Sequence, residues 1–321
     1  MRAAFWLGMV PLNALAQTCE TSVPATIVDA TTGNFVPSIQ PAMLHAKINK
    51  GFIPVTAVER IQKFRVLLLV DASGSMSSID VGSVSSQRNT VQKIKEMLDE
   101  NLNSFPAGVQ MSFGVFNKEI AFANEFTADP ARLHHLIPET IARLRSPGTG
   151  ETALFDALHM ALAQFGSVQP GDTILAITDG DDNSSKQVSA KQLARELSQK
   201  GVRLFVLLAA DKTGYSTPEG SESVDTISEF AERAGGAVRI YDVSSLRWGN
   251  KQRLQSAKNE LKRFWTQEVL SAYLVHFSIP ADLHKEQKWL LAIDPAANGK
   301  RKIAAGYPSR LEPCPVATAT R

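Results

Sequence analysis

Charge of one sign is what this chain most lacks. Its 34 lysines and arginines face 32 aspartates and glutamates, a net charge of +2 over 321 residues. That leaves no bulk electrostatic case for nucleic acid or a membrane surface as partner. Cysteine is nearly missing too: Cys19 and Cys314 are the only two, so at most one disulfide can form within the chain. Past the N-terminus no apolar run approaches the roughly 20 residues of a membrane-spanning helix. Repeats and low-complexity tracts are absent. With 44% hydrophobic and 21% charged residues, wholesale disorder is excluded, and the length suits one large domain or two smaller ones.

The N-terminus is the exception to this evenness. Met1-Arg2 is followed by the apolar stretch Ala3 to Leu12 and then by Ala14-Leu15-Ala16. A positive start, a short apolar core and an Ala-x-Ala exit describe a secretory signal peptide over residues 1–16, cleaved after Ala16. The alternatives are a short amphipathic helix or a lipid anchor on Cys19, and Thr18 is a poor residue before a lipid-modified cysteine. Export would permit a Cys19–Cys314 disulfide, because the ends of a domain often lie close together. Two free thiols on frayed ends are the other possibility.

Residues 17–64 carry short apolar snatches separated by turn signals such as Thr31-Thr32-Gly33-Asn34, and read as a β segment. From Arg65 the rhythm becomes strand, helix, strand, helix. Arg65–Val70, Val109–Phe116, Thr173–Thr178, Val202–Leu208 and Ala237–Tyr241 are the expected strands. The intervening helical faces include Val91/Ile94/Leu98/Leu102, a helix over 131–145 broken or kinked near Pro138, Leu154 to Phe165, and Ser189–Lys200 ended by Gly201. Such alternation over 65–250 implies a Rossmann-like, doubly wound, mostly parallel sheet in the α/β class. Residues 251–321 supply a helix, Gln252–Gln267, and then strands at 270–279, 289–293 and 302–305. These are expected to pair with the N-terminal segment as a small β element flanking the α/β unit.

The chemistry concentrates at strand ends. Directly after the apolar run Val66 to Val70 stands Asp71-Ala72-Ser73-Gly74-Ser75-Met76. One carboxylate and two hydroxyls alternate there around a glycine turn. Three hard oxygens without sulfur or imidazole suit Mg2+, Mn2+ or Ca2+ rather than zinc or copper, and strand ends are where ligands sit in open α/β sheets. Two further stretches hold similar positions: Ser146 to Leu158, a glycine loop opening a helix, and Thr178-Asp179-Gly180-Asp181-Asp182-Asn183 after a buried strand.

Asp71-x-Ser73-x-Ser75, then Thr152-Ala-Leu-Phe-Asp-Ala-Leu, then Thr178-Asp179-Gly180, in that order, resemble the three loops of the metal-ion-dependent adhesion site of von Willebrand factor type A domains. The likeness covers roughly residues 65–245. It implies that Ser73, Ser75 and Thr152 offer hydroxyls to a divalent cation, Mg2+ first, and that Asp71 and Asp179 offer carboxylates directly or through water. It also implies an open coordination position that takes an acidic side chain, Asp or Glu, of a partner protein. Two features depart from the pattern. Glu151 stands where the family has glycine, facing solvent or competing for the open position, and Ser77–Asn89 is a long polar insertion beside the site. The flanks, with Val28-Asp29, Gly33, Glu268 to Leu274 and Gly306-Tyr307, resemble secreted bacterial proteins related to type A domains, and imply export.

Other readings are weaker. A nucleophile elbow needs glycine where Asp71 stands, and the six histidines show no base placement. An EF-hand beginning at Asp179 would need glycine at Ser184 and glutamate at Ala190. Asp156 reads as a helix-surface residue or one supporting a ligand. The expectation is an exported, non-enzymatic, cation-dependent binding protein. A hydrolase using the same metal, or a scaffold whose site Glu151 keeps empty, are the alternatives.

Overall fold

The computed structural model describes residues 18–74, 76, 106–145, 150–210, 218–242, 251–280, 283–294 and 302–314. The expected signal peptide, the insertion 77–89 and the helix through Val91 and Leu102 lie outside the described residues. The strand entered at Arg65 is β4, Phe64–Asp71. It is apolar on both faces because both are covered: Val66, Leu68 and Val70 enter one core and Leu67 and Leu69 another. Around it lie β5 (Val109–Phe116), β6 (Ile120–Phe122), β7 (Thr173–Thr178), β8 (Arg203–Ala210) and β9 (Ala237–Asp242), in the spatial order β6-β5-β4-β7-β8-β9. All neighbours run parallel except β6, which returns antiparallel from β5. This three-residue edge strand was not expected, because it is shorter than any periodicity can reveal.

Helices cover both faces. On the first, α1 (Pro130–Ile141) buries Leu133, Leu136 and Ile137. It starts where Asp129 accepts from the Ala131 amide at 2.9 Å, a strong N-terminal cap. It then runs through Pro138 and ends three residues later, short of the expected end at 145. On the second face lie α2 (Leu154–Gln164), α3 (Ala190–Lys200) and α4 (Pro218–Arg233). Ser189 caps α3, and Gly201, at φ 68°, closes it in the left-handed conformation. Gly236 precedes β9 and must be glycine, because a Cβ would meet the Leu204 carbonyl oxygen at 1.8 Å.

The flanking strands form a sheet larger than the small element expected. β1 (Thr18–Asp29), β2 (Leu44–Ile48), β3 (Gly51–Arg60), β10 (Tyr273–Pro280), β11 (Gln287–Ile293), β12 (Ile303–Gly306) and β13 (Arg310–Leu311) pair antiparallel in the order β12-β1-β10-β3-β2-β11-β13. N- and C-terminal strands interleave: β1 runs against β10 from Thr18↔Pro280 to Ala25↔Tyr273. A separate apolar core including Ile27, Leu44, Val275 and Phe277 lies beneath them. Cys19 and Cys314 form a disulfide across this sheet, 295 residues apart in sequence.

The two sheets are joined through a chain segment of unusual geometry. α5 (Lys251–Arg263) passes into a π-helical turn, Phe264–Val269, which delays β10 to Tyr273. The carbonyls of Glu268 and Val269 accept from the fully buried guanidinium of Arg203, at 3.3 and 2.7 Å. The same group donates to Thr26 of β1 (3.1 Å) and Thr173 of β7 (2.9 Å), and lies against Phe64 and Phe205. Burial pushes its pKa down to about 9, so it remains a cation at neutral pH.

Candidate metal centre

Asp71 is the last residue of β4, with β5 on one side and β7 on the other. After β4 the chain goes to β5, and it later crosses back to β7. The C-terminal end of β4 is therefore where the winding direction reverses, and a crevice opens there. The Asp71 side chain is wholly buried. Its Oδ1 accepts from the Ser73 amide at 2.8 Å and its Oδ2 from the Thr178 hydroxyl at 2.7 Å. The Thr178 Oγ in turn accepts from the Gly180 amide at 3.1 Å. Burial first, and the nearby negative charge of Asp179 second, push the Asp71 carboxyl up to about 7. Two carboxylates thus stand near one another in this crevice, one of them wholly buried. Asp179 is half-buried, and its Oδ1 accepts from the Asp181 amide at 3.3 Å.

The loop carrying Thr152 is fastened to the ends of the strands on either side of β4. The Ala153 amide donates to the Asn117 carbonyl, just past β5, at 2.9 Å. On the β7 side, the Thr152 amide donates to Asn183 Oδ1 (2.8 Å), and the Thr152 carbonyl accepts from the amides of Asn183 and Ser184, each at 3.0 Å. Asn183 closes the clasp by donating from Nδ2 to the Gly150 carbonyl at 3.0 Å. These bonds span the end of β4 between β5 and β7. Thr152 is completely buried, yet its hydroxyl has no hydrogen-bond partner. Ser73 is buried as well. Ser75 lies outside the described residues.

Of the two positions expected for Asp156, the helix surface or a place supporting a ligand, the structure shows the second. It is buried in the first turn of α2. Its carboxylate accepts from the backbone amides of Lys186 (2.8 Å), Gln187 (2.9 Å) and Val188 (3.2 Å), pinning the far end of the loop that begins at Asp179. Residue-level reading missed Thr178, Asn183 and Asn117. Thr178 could have been found as the hydroxyl closing the strand before Asp179. For the two asparagines no local signal ties them to the site, because the groups of the Thr152 loop that they bond are far away in sequence. Glu151 is exposed, and its Oε2 accepts from Lys118 Nζ at 2.9 Å.

Residues 66–247, over half of the chain, match the von Willebrand factor type A domain family. The chain belongs to that family. No curated protein sequence matches it. Solved structures similar to it include a von Willebrand factor type A protein from Catenulispora acidiphila, at 13% identity over 87% of this chain and 74% of that one, TM-score 0.45. BatB from Bacteroides thetaiotaomicron, a conserved hypothetical protein, is 18% identical over 62% of this chain and 98% of its own, TM-score 0.43. Proximal thread matrix protein 1 of the mussel byssus, with a zinc-occupied MIDAS motif, is 13% identical over 70% of this chain and 49% of its own, TM-score 0.46.

Type A domains as a class bind proteins and commonly carry a divalent cation. The residues at the end of β4 fit such an ion on physical grounds. A buried hydroxyl without a partner costs free energy, and a cation beside Thr152 would remove that cost. A cation would also neutralise the Asp71 and Asp179 charges. Among the described residues no three His, Cys, Asp or Glu side chains gather into a metal-holding group. The donors here are two carboxylates and hydroxyls, a set that hard cations favour.

Proposed function

We propose that this chain is an exported, non-enzymatic protein-binding module that grips an acidic side chain of its partner through a divalent cation, Mg2+ in the first instance. Asp71, Ser73, Ser75, Thr152 and Asp179 would hold the ion. The two carboxylates balance its charge. The hydroxyls add none, so the ion stays electrophilic toward a further anion. The observation that carries the reading is the buried, unpartnered Thr152 hydroxyl on a loop fastened across the Asp71 crevice.

On this reading the sheet of residues 65–250 is a Rossmann-like doubly wound unit, framed by segments 17–64 and 251–321. Export, with residues 1–16 as its signal, is supported by the disulfide, which persists in oxidising compartments. No helix among the described residues is long and apolar enough to cross a membrane. The test is capture of partner proteins from the source's envelope fraction with Mg2+, with EDTA, and with Asp71→Ala after its folding is verified by circular dichroism. Capture should require both the cation and Asp71. Equal capture in all three arms sinks the proposal.

A further inference from the structure

The Glu151–Lys118 pair lies one residue from the proposed ligand Thr152, and the inference rests on the cation reading above. Glu151 directly precedes Thr152, whose loop is fastened on both sides. Its side chain is 57% exposed, and its carboxylate pairs with Lys118 Nζ at 2.9 Å. The base of Lys118 is firmly placed. Its neighbours form a tight turn in which the Glu119 amide donates to Asn117 Oδ1 at 2.6 Å and the Asn117 amide donates to the Glu119 carbonyl at 2.9 Å. Glu119 Oε2 accepts from the Arg145 amide at 2.8 Å. The Asn117 carbonyl also receives the Ala153 amide, which ties the turn to the loop. The two long, exposed side chains meet across them.

We infer that Glu151 is a built-in competitor for the open coordination position and that Lys118 holds it away. A free carboxylate one residue from a cation ligand is an oxygen donor of the kind a hard cation takes. Lys118 offers that carboxylate an alternative partner. A partner protein's acidic group then meets an open cation rather than one closed by the chain itself. Both side chains are well exposed, so the ion pair is a weak restraint of the surface type. It shifts the balance by about two- to fivefold, which suits a setting that a partner can overcome. Lys118 is in this sense a positioning residue acting through Glu151.

The test needs only the metal. Mn2+ binding is measured by titration calorimetry, and the water left on bound Mn2+ by proton relaxation, in wild type, Lys118→Gln, Glu151→Gln and the double variant. In Lys118→Gln the Mn2+ affinity should rise about two- to fivefold, and relaxation enhancement should fall as the released carboxylate displaces a coordinated water. Adding Glu151→Gln should abolish both changes. The inference is overturned if Lys118→Gln matches wild type in both readouts, or if its changes persist in the double variant. If wild type binds no Mn2+, or Asp71→Asn binds it equally well, the cation reading falls and this inference with it. If wild-type binding depends on Asp71 but ignores Lys118, only the role of Glu151 is lost.

Discussion

Replacing Asp156 by alanine should loosen the metal loop without touching a proposed ligand. In the native fold one carboxylate collects three backbone amides, from Lys186, Gln187 and Val188. Hydrogen bonds to a charged group contribute about 1.5–3 kcal/mol each when shielded from water. Only Val188 is itself buried; Lys186 and Gln187 are exposed, and water can replace much of what they lose. The acid also sits in the first turn of α2, where a negative charge is favourable by about 0.3–1 kcal/mol. Together these put the loss for Asp156→Ala at about 2–4 kcal/mol. For a cooperative unit of 150–250 residues that is a fall in Tm of about 4–16 °C. Asp156→Asn keeps an oxygen for Gln187 and Val188 but turns an amide donor toward the Lys186 amide, so it should lose about half as much. Thermal unfolding followed by circular dichroism in EDTA isolates this effect from any cation. A Tm within about 1 °C of wild type for Asp156→Ala would refute the claim that this carboxylate anchors the loop. The same variant should weaken Mg2+ binding, because Asp179 rides on the loop it releases.

Three further outcomes follow from the same geometry. The Asp71 carboxyl is held above its ordinary value in the cation-free protein, so the fold favours its protonated form. Its stabilising contribution is full below about pH 4 and is lost as pH rises toward about 7. In EDTA, Tm should therefore fall over that window in wild type and fall less in Asp71→Asn, and Mg2+ should raise Tm more at pH 7 than at pH 5. Arg203→Ala removes the donor that satisfies two carbonyls and two hydroxyls between the sheets, and the unpaired acceptors and the cavity left behind should show in urea unfolding as a loss of about 3–5 kcal/mol. Arg203→Met, which refills the volume and buries no charge, should lose distinctly less. Reducing the Cys19–Cys314 disulfide, which closes a loop spanning 295 residues, should cost up to about 5 kcal/mol, read as a drop in Tm under dithiothreitol that Cys19→Ser abolishes.

Local pattern carried the α/β part of this fold far. β4, β5 and β7 are apolar runs bounded by polar residues, and a strand buried on both faces shows itself in that way without reference to its neighbours. α3 was equally legible, since Ser189 and Gly201 mark its two ends by chemistry that acts over a few residues. The flanking sheet was legible only as scattered strands. Its size depends on β1 lying against β10 and β12, a pairing across most of the chain length that no short window contains. The π-helical turn 264–269 escaped for a related reason: its carbonyls are aimed at Arg203, so tertiary contact, not helical propensity, sets its geometry.

The candidate site divides along the same line. Residues proposed to touch the cation can be named from the sequence because their order resembles the three type A loops, and each offers a hard oxygen at a strand end or the start of a helix. Residues that hold those oxygens in place cannot. Thr178 matters because β7 lies beside β4, which lets its hydroxyl reach Asp71 across 107 positions. Asn183 matters because it ties Thr152 and Gly150 to the β7 loop. Loss of either should therefore act through geometry. Thr178→Val keeps the shape of the side chain but removes the donor to Asp71 Oδ2 and the acceptor for the Gly180 amide. It should weaken Mg2+ binding while leaving Thr152 and Asp179 in place. Thr152→Val removes a proposed ligand and should weaken binding too, but it also removes a buried hydroxyl that has no protein partner. In EDTA, Thr152→Val should then be as stable as wild type or more so, whereas Thr178→Val should be less stable. A Thr152→Val variant that loses stability without metal would contradict the claim that this hydroxyl waits for a cation.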